Sequence, residues 1–219
     1  MKRTFGFILF IMFSSLILIA QDLDATIEHL KMELQDDNKR PLSNEEKIKI
    51  YLQLANLYWA DSPEKVLESY QSALILAQEQ NNKTDEANIY KSIGTTYLLK
   101  INHYENAIES YSKALNLYLE INDTNAVAAC YNNIGISYNR LGKYDLAIQS
   151  YLMQKKLNED IKYQKGISYA KKNIENVYND LLNDPNAISY FTDALMISRQ
   201  NHDTVSWEEA IRYLAEVYQ

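Results

Sequence analysis

Residues 131–151 read Tyr131-Asn132-Asn133-Ile134-Gly135-Ile136-Ser137-Tyr138-Asn139-Arg140-Leu141-Gly142-Lys143-Tyr144-Asp145-Leu146-Ala147-Ile148-Gln149-Ser150-Tyr151. Apolar or small side chains fall at 131, 134, 135 and 138, and again at 144, 147, 148 and 151. Steps of three and four put each set on one face of a helix. Leu141-Gly142-Lys143 breaks the period where a tight turn is needed. The stretch therefore specifies two amphipathic helices joined by a short turn.

The same phrase returns along the chain. Leu54-Ala55-x-x-Tyr58, Ile93-Gly94-x-x-Tyr97, Ile134-Gly135-x-x-Tyr138, Ile174-Glu175-x-x-Tyr178 and Leu214-Ala215-x-x-Tyr218 place their tyrosines 39, 41, 40 and 40 residues apart. A second phrase follows each of the first four: Val66-x3-Tyr70-x2-Ala73, Ala107-x3-Tyr111-x2-Ala114, Ala147-x3-Tyr151-x2-Gln154 and Ala187-x3-Phe191-x2-Ala194. Unit one has one residue fewer between its phrases and unit two one more. The joints fall near Asp61-Ser62-Pro63, Ile101-Asn102-His103, Leu141-Gly142-Lys143 and Asn183-Asp184-Pro185. Pro63 and Pro185 stand at helix starts, where a missing N–H costs nothing. Ser43 and Glu46 form a capping box for the first repeated helix. Small residues at 55, 94 and 135 are expected to let Ala107, Ala147 and Ala187 approach closely, with the tyrosine rings filling the space above.

These phrases resemble the tetratricopeptide repeat family, whose signature is W-x2-L-G-x2-Y…A-x3-F…P. Tyr131-x2-Ile134-Gly135-x2-Tyr138 with Ala147-x3-Tyr151 is the best match, and the likeness covers about residues 44–219. The departures are a period near 40, a first column of Tyr51, Tyr90, Tyr131, Lys171 and Ile211, and no trailing proline. The resemblance implies an all-α fold: a right-handed α-solenoid of stacked antiparallel helix hairpins. The expected organisation is repeat units at about 44–82, 83–123, 124–164 and 165–203, with a partial unit at 204–219. Residues 21–43 supply a capping helix and linker, with Leu23, Ile27, Leu30 and Leu34 covering the first open face.

Residues 1–20 are a separate object. Lys2 and Arg3 precede a nearly unbroken apolar run from Phe5 to Ile19, and polar sequence starts at Gln21. This is the layout of a secretory signal peptide, too short to span a membrane comfortably. Export is the expectation, with retention as an N-terminal membrane anchor the alternative. Removal of Lys2 and Arg3 takes the formal charge from −7 to −9, and no membrane association is expected afterwards.

Composition excludes several classes. The 219 residues include 5 Gly and 3 Pro, too few for an all-β fold or a glycine-rich phosphate loop. A net charge of −7 argues against a nucleic-acid partner. The single Cys130 makes neither an internal disulfide nor a multi-cysteine metal site and reads as a small buried residue. His29, His103 and His202 lie apart, with no ligand spacing between any two. No GxGxxG, P-loop, GxSxG or HExxH motif occurs, so no enzyme, no metal and no cofactor is expected. Of the 18 tyrosines most occupy repeat columns and read as core, while Tyr118, Tyr163 and Tyr169 lie off those columns as surface candidates. Asn82-Lys83-Thr84 and Asn122-Asp123-Thr124 match the glycosylation triplet but read as loop chemistry.

In the resembled family, first helices line a concave groove. The positions carried over are Leu52 and Asn56, Lys91 and Thr95, Asn132 and Ile136, Lys172 and Asn176, and Arg212 and Glu216. Trp59, Leu98, Asn139 and Asn179 follow one turn later. The expected partner-binding residues are Asn56, Lys91, Thr95, Asn132, Lys172, Asn176 and Arg212. Their amides suit an extended peptide backbone and their cations an acidic group. Lys172-x3-Asn176 resembles half of a clamp for a peptide C-terminus, but Tyr213 stands where the next asparagine is needed. The function implied is an exported scaffold for a protein or peptide partner. The alternative is the sensory part of a truncated signalling regulator of the histidine kinase or transcription-regulator type.

Overall fold

The computed structural model describes residues 22–35, 41–182, 187–200 and 204–217. The leader at 1–20, the joint at Asn183-Asp184-Pro185, His202 and Tyr218 lie outside them. Helices run over 22–35 (α1), Asn44–Tyr58 (α2), Pro63–Glu79 (α3), Lys83–Thr96 (α4), Tyr104–Glu120 (α5), Thr124–Arg140 (α6), Tyr144–Asp160 (α7), Gln164–Leu182 (α8), Ala187–Gln200 (α9) and Thr204–Val217 (α10). No strand occurs among the described residues. The chain forms two compact units, one ending at Asn102 and one starting at His103.

In the first unit, Ile27 of α1 is buried with Ile50 and Leu54 of α2, flanked by Leu23, Leu30 and Leu34. The other side of α2 packs Ile48 and Ala55 with Val66, Tyr70, Ala73 and Ala77 of α3 and Ile89 and Ile93 of α4. Burial of each such aliphatic side chain is worth about 1.5–3 kcal/mol. The cap read at α2 is present, Ser43 and Glu46 forming the reciprocal box; at α4, where the sequence reads only as loop chemistry, Asn82 accepts from the Asp85 N–H at 3.1 Å. The residue in excess between the phrases of unit two is absorbed by a turn of π-helix, Tyr97–Ile101, at the end of α4.

In the second unit, α6 packs on α5 and α7, and α7 on α8. Asp123 caps α6 by accepting from the Ala126 N–H at 3.0 Å. Left-handed residues end successive helices: Asn81, Asn102, Asn122 and Lys162 have φ of 52°, 58°, 58° and 57°, and Gly142 has 69°. In the first three second phrases the serine before the ring is buried and donates to the carbonyl four residues back: Ser69 to Lys65, Ser110 to Asn106 and Ser150 to Leu146. The hydroxyls thus enter the core already satisfied.

Two sequence expectations need correcting. Tyr118 is buried, not a surface residue. It lies two turns after Tyr111 and so shares that ring's inward face. At Gly135, the three atoms nearest a built Cβ all belong to the Tyr151 ring, not to a small residue of α7: Cε1 at 2.7 Å, Cδ1 and Cζ at 2.9 Å. The glycine seats a ring. Tyr163 and Tyr169 are exposed, as expected, and Cys130 is buried.

Candidate functional site

Four of the expected first-helix positions, Asn56, Thr95, Asn132 and Arg212, line local clefts. In the first unit, Asn56 of α2 and Trp59 just after it line a cleft of about 360 Å³ with Tyr70 of α3 and Ser92 and Thr95 of α4. Burial raises the Tyr70 phenol above its ordinary range, and its hydrogen bond with Ser92 offsets part of that. Lys100 stands 5.2 Å from the Trp59 ring centroid. The Thr95 hydroxyl donates to the Lys91 carbonyl at 2.9 Å. Asn56 and Thr95 are therefore brought together, while Lys91, half-buried, lies one turn before Thr95 on α4.

In the second unit, Asn132 and Ile136 of α6 line a cleft of about 590 Å³ with residues of α7 and α8. The Asn173 amide donates to Asn132 Oδ1 at 2.8 Å and ties α8 to α6. Two turns on, Asn139 donates to Asp180 at 2.8 Å. The residue facing Asn132 is thus Asn173, next to the predicted Lys172. Lys172 and Asn176 are both exposed on α8, one turn apart.

Arg212 lines a third cleft, of about 600 Å³, with Lys155, Lys171, Glu175 and Tyr178. It stands 4.1 Å from the Tyr213 ring centroid and pairs with Glu216 at 3.3 Å. Tyr213 is buried, stacked on Tyr178 at 4.5 Å and on Phe191 at 5.3 Å. That ring does not interrupt the polar surface of α10, where Glu208, Arg212 and Glu216 are exposed. Sequence reasoning missed Asn173, Asn158 and Gly166. The signal for the last two was present as a polar residue and a glycine inside otherwise apolar helical columns.

Among the described residues no group of His, Cys, Asp or Glu is placed to hold a metal ion. None of their helices is long and apolar enough to cross a membrane.

Residues 32–165, more than half of the sequence, match the family described as Soluble NSF attachment protein, SNAP. The chain belongs to the SNAP family. SNAP and tetratricopeptide-like repeats share the helical-hairpin architecture found here, an all-α solenoid typical of interaction scaffolds and generally non-catalytic. No curated protein sequence matches this SNAP-family chain significantly. Solved structures similar in fold include a STAND signal-transduction ATPase with a tetratricopeptide repeat sensor from Pyrococcus horikoshii, at TM-score 0.63 and 16% identity. That match covers 89% of this chain but 30% of the other. The apo form of RapI matches at TM-score 0.63 and 18% identity, over 91% of this chain and 79% of that one. A Rap protein complexed with Competence and Sporulation Factor matches at TM-score 0.52 and 14% identity, over 92% and 71%.

Proposed function

We propose that this protein is an exported, non-enzymatic scaffold that binds a protein or peptide partner on the faces of its first helices. The observation that carries the reading is the clustering of amide and hydroxyl side chains there: Asn56 with Thr95 in one unit, and Asn132 with Asn173 in the other. Amides offer donor and acceptor together, the pairing an extended backbone demands. Trp59 and Ile136 add apolar contact in the same clefts. The Rap complex supplies an instance of this fold holding a named factor.

The partner carries negative charge near Lys172 and Arg212, and is not a nucleic acid, given the acidic balance of the chain. Exposed ion pairs contribute only about 0–1 kcal/mol each. Binding therefore weakens modestly with salt and does not collapse. A pull-down from the exported fraction, wild type against Lys172→Glu with Asn176→Ala, tests the reading. Loss of a partner in the double variant supports it; retention of every partner removes the first-helix face as the site.

Export through cleavage after Ala20 belongs to the same proposal. Amino-terminal sequencing of the protein made in its native host is expected to begin at Gln21, and Met1 would place it on the membrane through a retained anchor. The second reading, a sensory segment of a larger signalling regulator, has the likeness to the STAND repeat sensor behind it. An in-frame continuation of the genomic sequence after Gln219 would favour it.

A further inference from the structure

The second helices of the first three repeats each carry a buried pair one turn apart. It is Ala73 and Ala77 on α3, Ala114 and Tyr118 on α5, but Gln154 and Asn158 on α7. The two amides are 6% and 4% exposed. Asn158 fills the space over Gly166 of α8: a Cβ there would lie 2.5 Å from Asn158 Cγ and 2.6 Å from Nδ2 and Oδ1. Gln154 Oε1 is buried and has no hydrogen-bond partner. A glycine inside a helix and an orphaned buried oxygen each cost stability, and the two residues concerned, Gly166 and Gln154, both line the cleft between α6, α7 and α8. Asn132 and Asn173, bonded to each other, form one wall, and the exposed rings of Tyr163 and Tyr169 stand at the rim. No acidic or basic side chain lines the cleft among the described residues.

We infer that this cleft takes the neutral carboxamide side chain of an Asn or Gln presented by an extended peptide segment of the partner. A carboxamide donates to Gln154 Oε1 and accepts an amide N–H on adjacent atoms, so it pairs with an amide through two hydrogen bonds. A carboxylate only accepts and would face the orphaned oxygen with its own lone pairs. An ammonium or guanidinium would be desolvated with no counter-charge in the lining. Tyr163 and Tyr169 cover the methylene stem. The inference rests on reading the protein as a peptide-binding scaffold and names the chemistry of one subsite.

The test titrates the full chain, by fluorescence anisotropy, with three dye-labelled capped heptapeptides of Ser and Ala that differ only in a central Gln, Glu or Met. The Gln peptide is expected to bind about tenfold tighter than the other two, the effect of one to two hydrogen bonds. Gln154→Met is expected to lose that preference while melting at the same or a higher temperature, since the orphaned oxygen is gone. Equal binding of the three peptides by wild type, no binding of any, or an undiminished Gln preference in Gln154→Met overturns the assignment. The wild-type comparison holds whether or not the variant folds. Lys172 and Asn176 do not line this cleft, so the pull-down reads the scaffold proposal independently: partner capture without carboxamide preference removes this subsite alone.

Discussion

Replacing Gly135 by leucine tests the packing of the repeat at its tightest point. Even a Cβ at 135 meets three ring atoms of Tyr151 at 2.7–2.9 Å, inside ordinary van der Waals contact. Those atoms belong to a rigid ring that is 3% exposed, so it has no solvent to swing into. Removing a helix glycine gains about 1 kcal/mol of propensity. Overpacking costs about 1–3 kcal/mol for added methylenes, and an isobutyl group driven into the ring lies at or above the upper end. The net for Gly135→Leu is a loss of about 2–4 kcal/mol, or roughly 5–15 °C in Tm at about 2–4 °C per kcal/mol for a chain of this size. Glu175, in the same column one unit on, is exposed, and Glu175→Ala should change stability by less than about 0.5 kcal/mol. Thermal and urea unfolding followed by circular dichroism at 222 nm reads both. Pairing Gly135→Ala with Tyr151→Leu adds a coupling measurement, in which the smaller neighbour should recover about 1 kcal/mol of the alanine's cost. Equal stability of Gly135→Leu and Glu175→Ala, or strict additivity in the pair, would refute the ring-on-glycine contact.

Two further outcomes follow from the described side chains. Burial raises the phenol of Tyr70 above its ordinary range, and it raises those of Tyr118 and Tyr151 further. The folded state holds these protons more tightly than the unfolded chain, whose tyrosines titrate near about 10. Their contribution is therefore complete below pH ~10 and declines as pH rises above it. Tyr118→Phe with Tyr151→Phe should flatten the alkaline fall in Tm, read by melts between pH 9 and 12. At the end of α7, Lys162 holds φ of 57°, which favours glycine, so Lys162→Gly should raise stability by about 0.5–1 kcal/mol; a loss of that size in urea unfolding would contradict it.

Much of the fold was readable because each unit repeats one packing problem. The tyrosine and small-residue columns, the Ser43–Glu46 box and the turns before Pro63 and at Gly142 all carry local signals that tertiary context did not override. The extra residue of unit two was visible, but its absorption as a π-helical turn at Tyr97–Ile101 depends on how α4 ends, which spacing does not state. Tyr118 was missed because two turns separate it from Tyr111 and the face was counted over shorter steps. Gly135 was paired with the wrong neighbour because a glycine marks a close approach without saying by what. The site was less legible than the fold. Column arithmetic located Asn56, Thr95 and Asn132 in clefts, yet left Lys172 and Asn176 on open surface. It also passed over Asn173, whose bond to Asn132 joins two helices 41 residues apart. A polar pair inside a buried column, as at Gln154 and Asn158, is the sequence signal that spacing alone treats as noise.

The central claim is that partners engage the first-helix faces. Site-specific photocrosslinking reads this directly. A benzophenone side chain is placed at Asn56, Asn132 or Lys172, and for comparison at Gln71 on α3 or Gln149 on α7, all in the full chain expressed in its native host. The account predicts that a discrete adduct forms from one or more of the first-helix positions and from neither comparison position. Adducts confined to Gln71 or Gln149, with none at Asn56, Asn132 or Lys172, would contradict it.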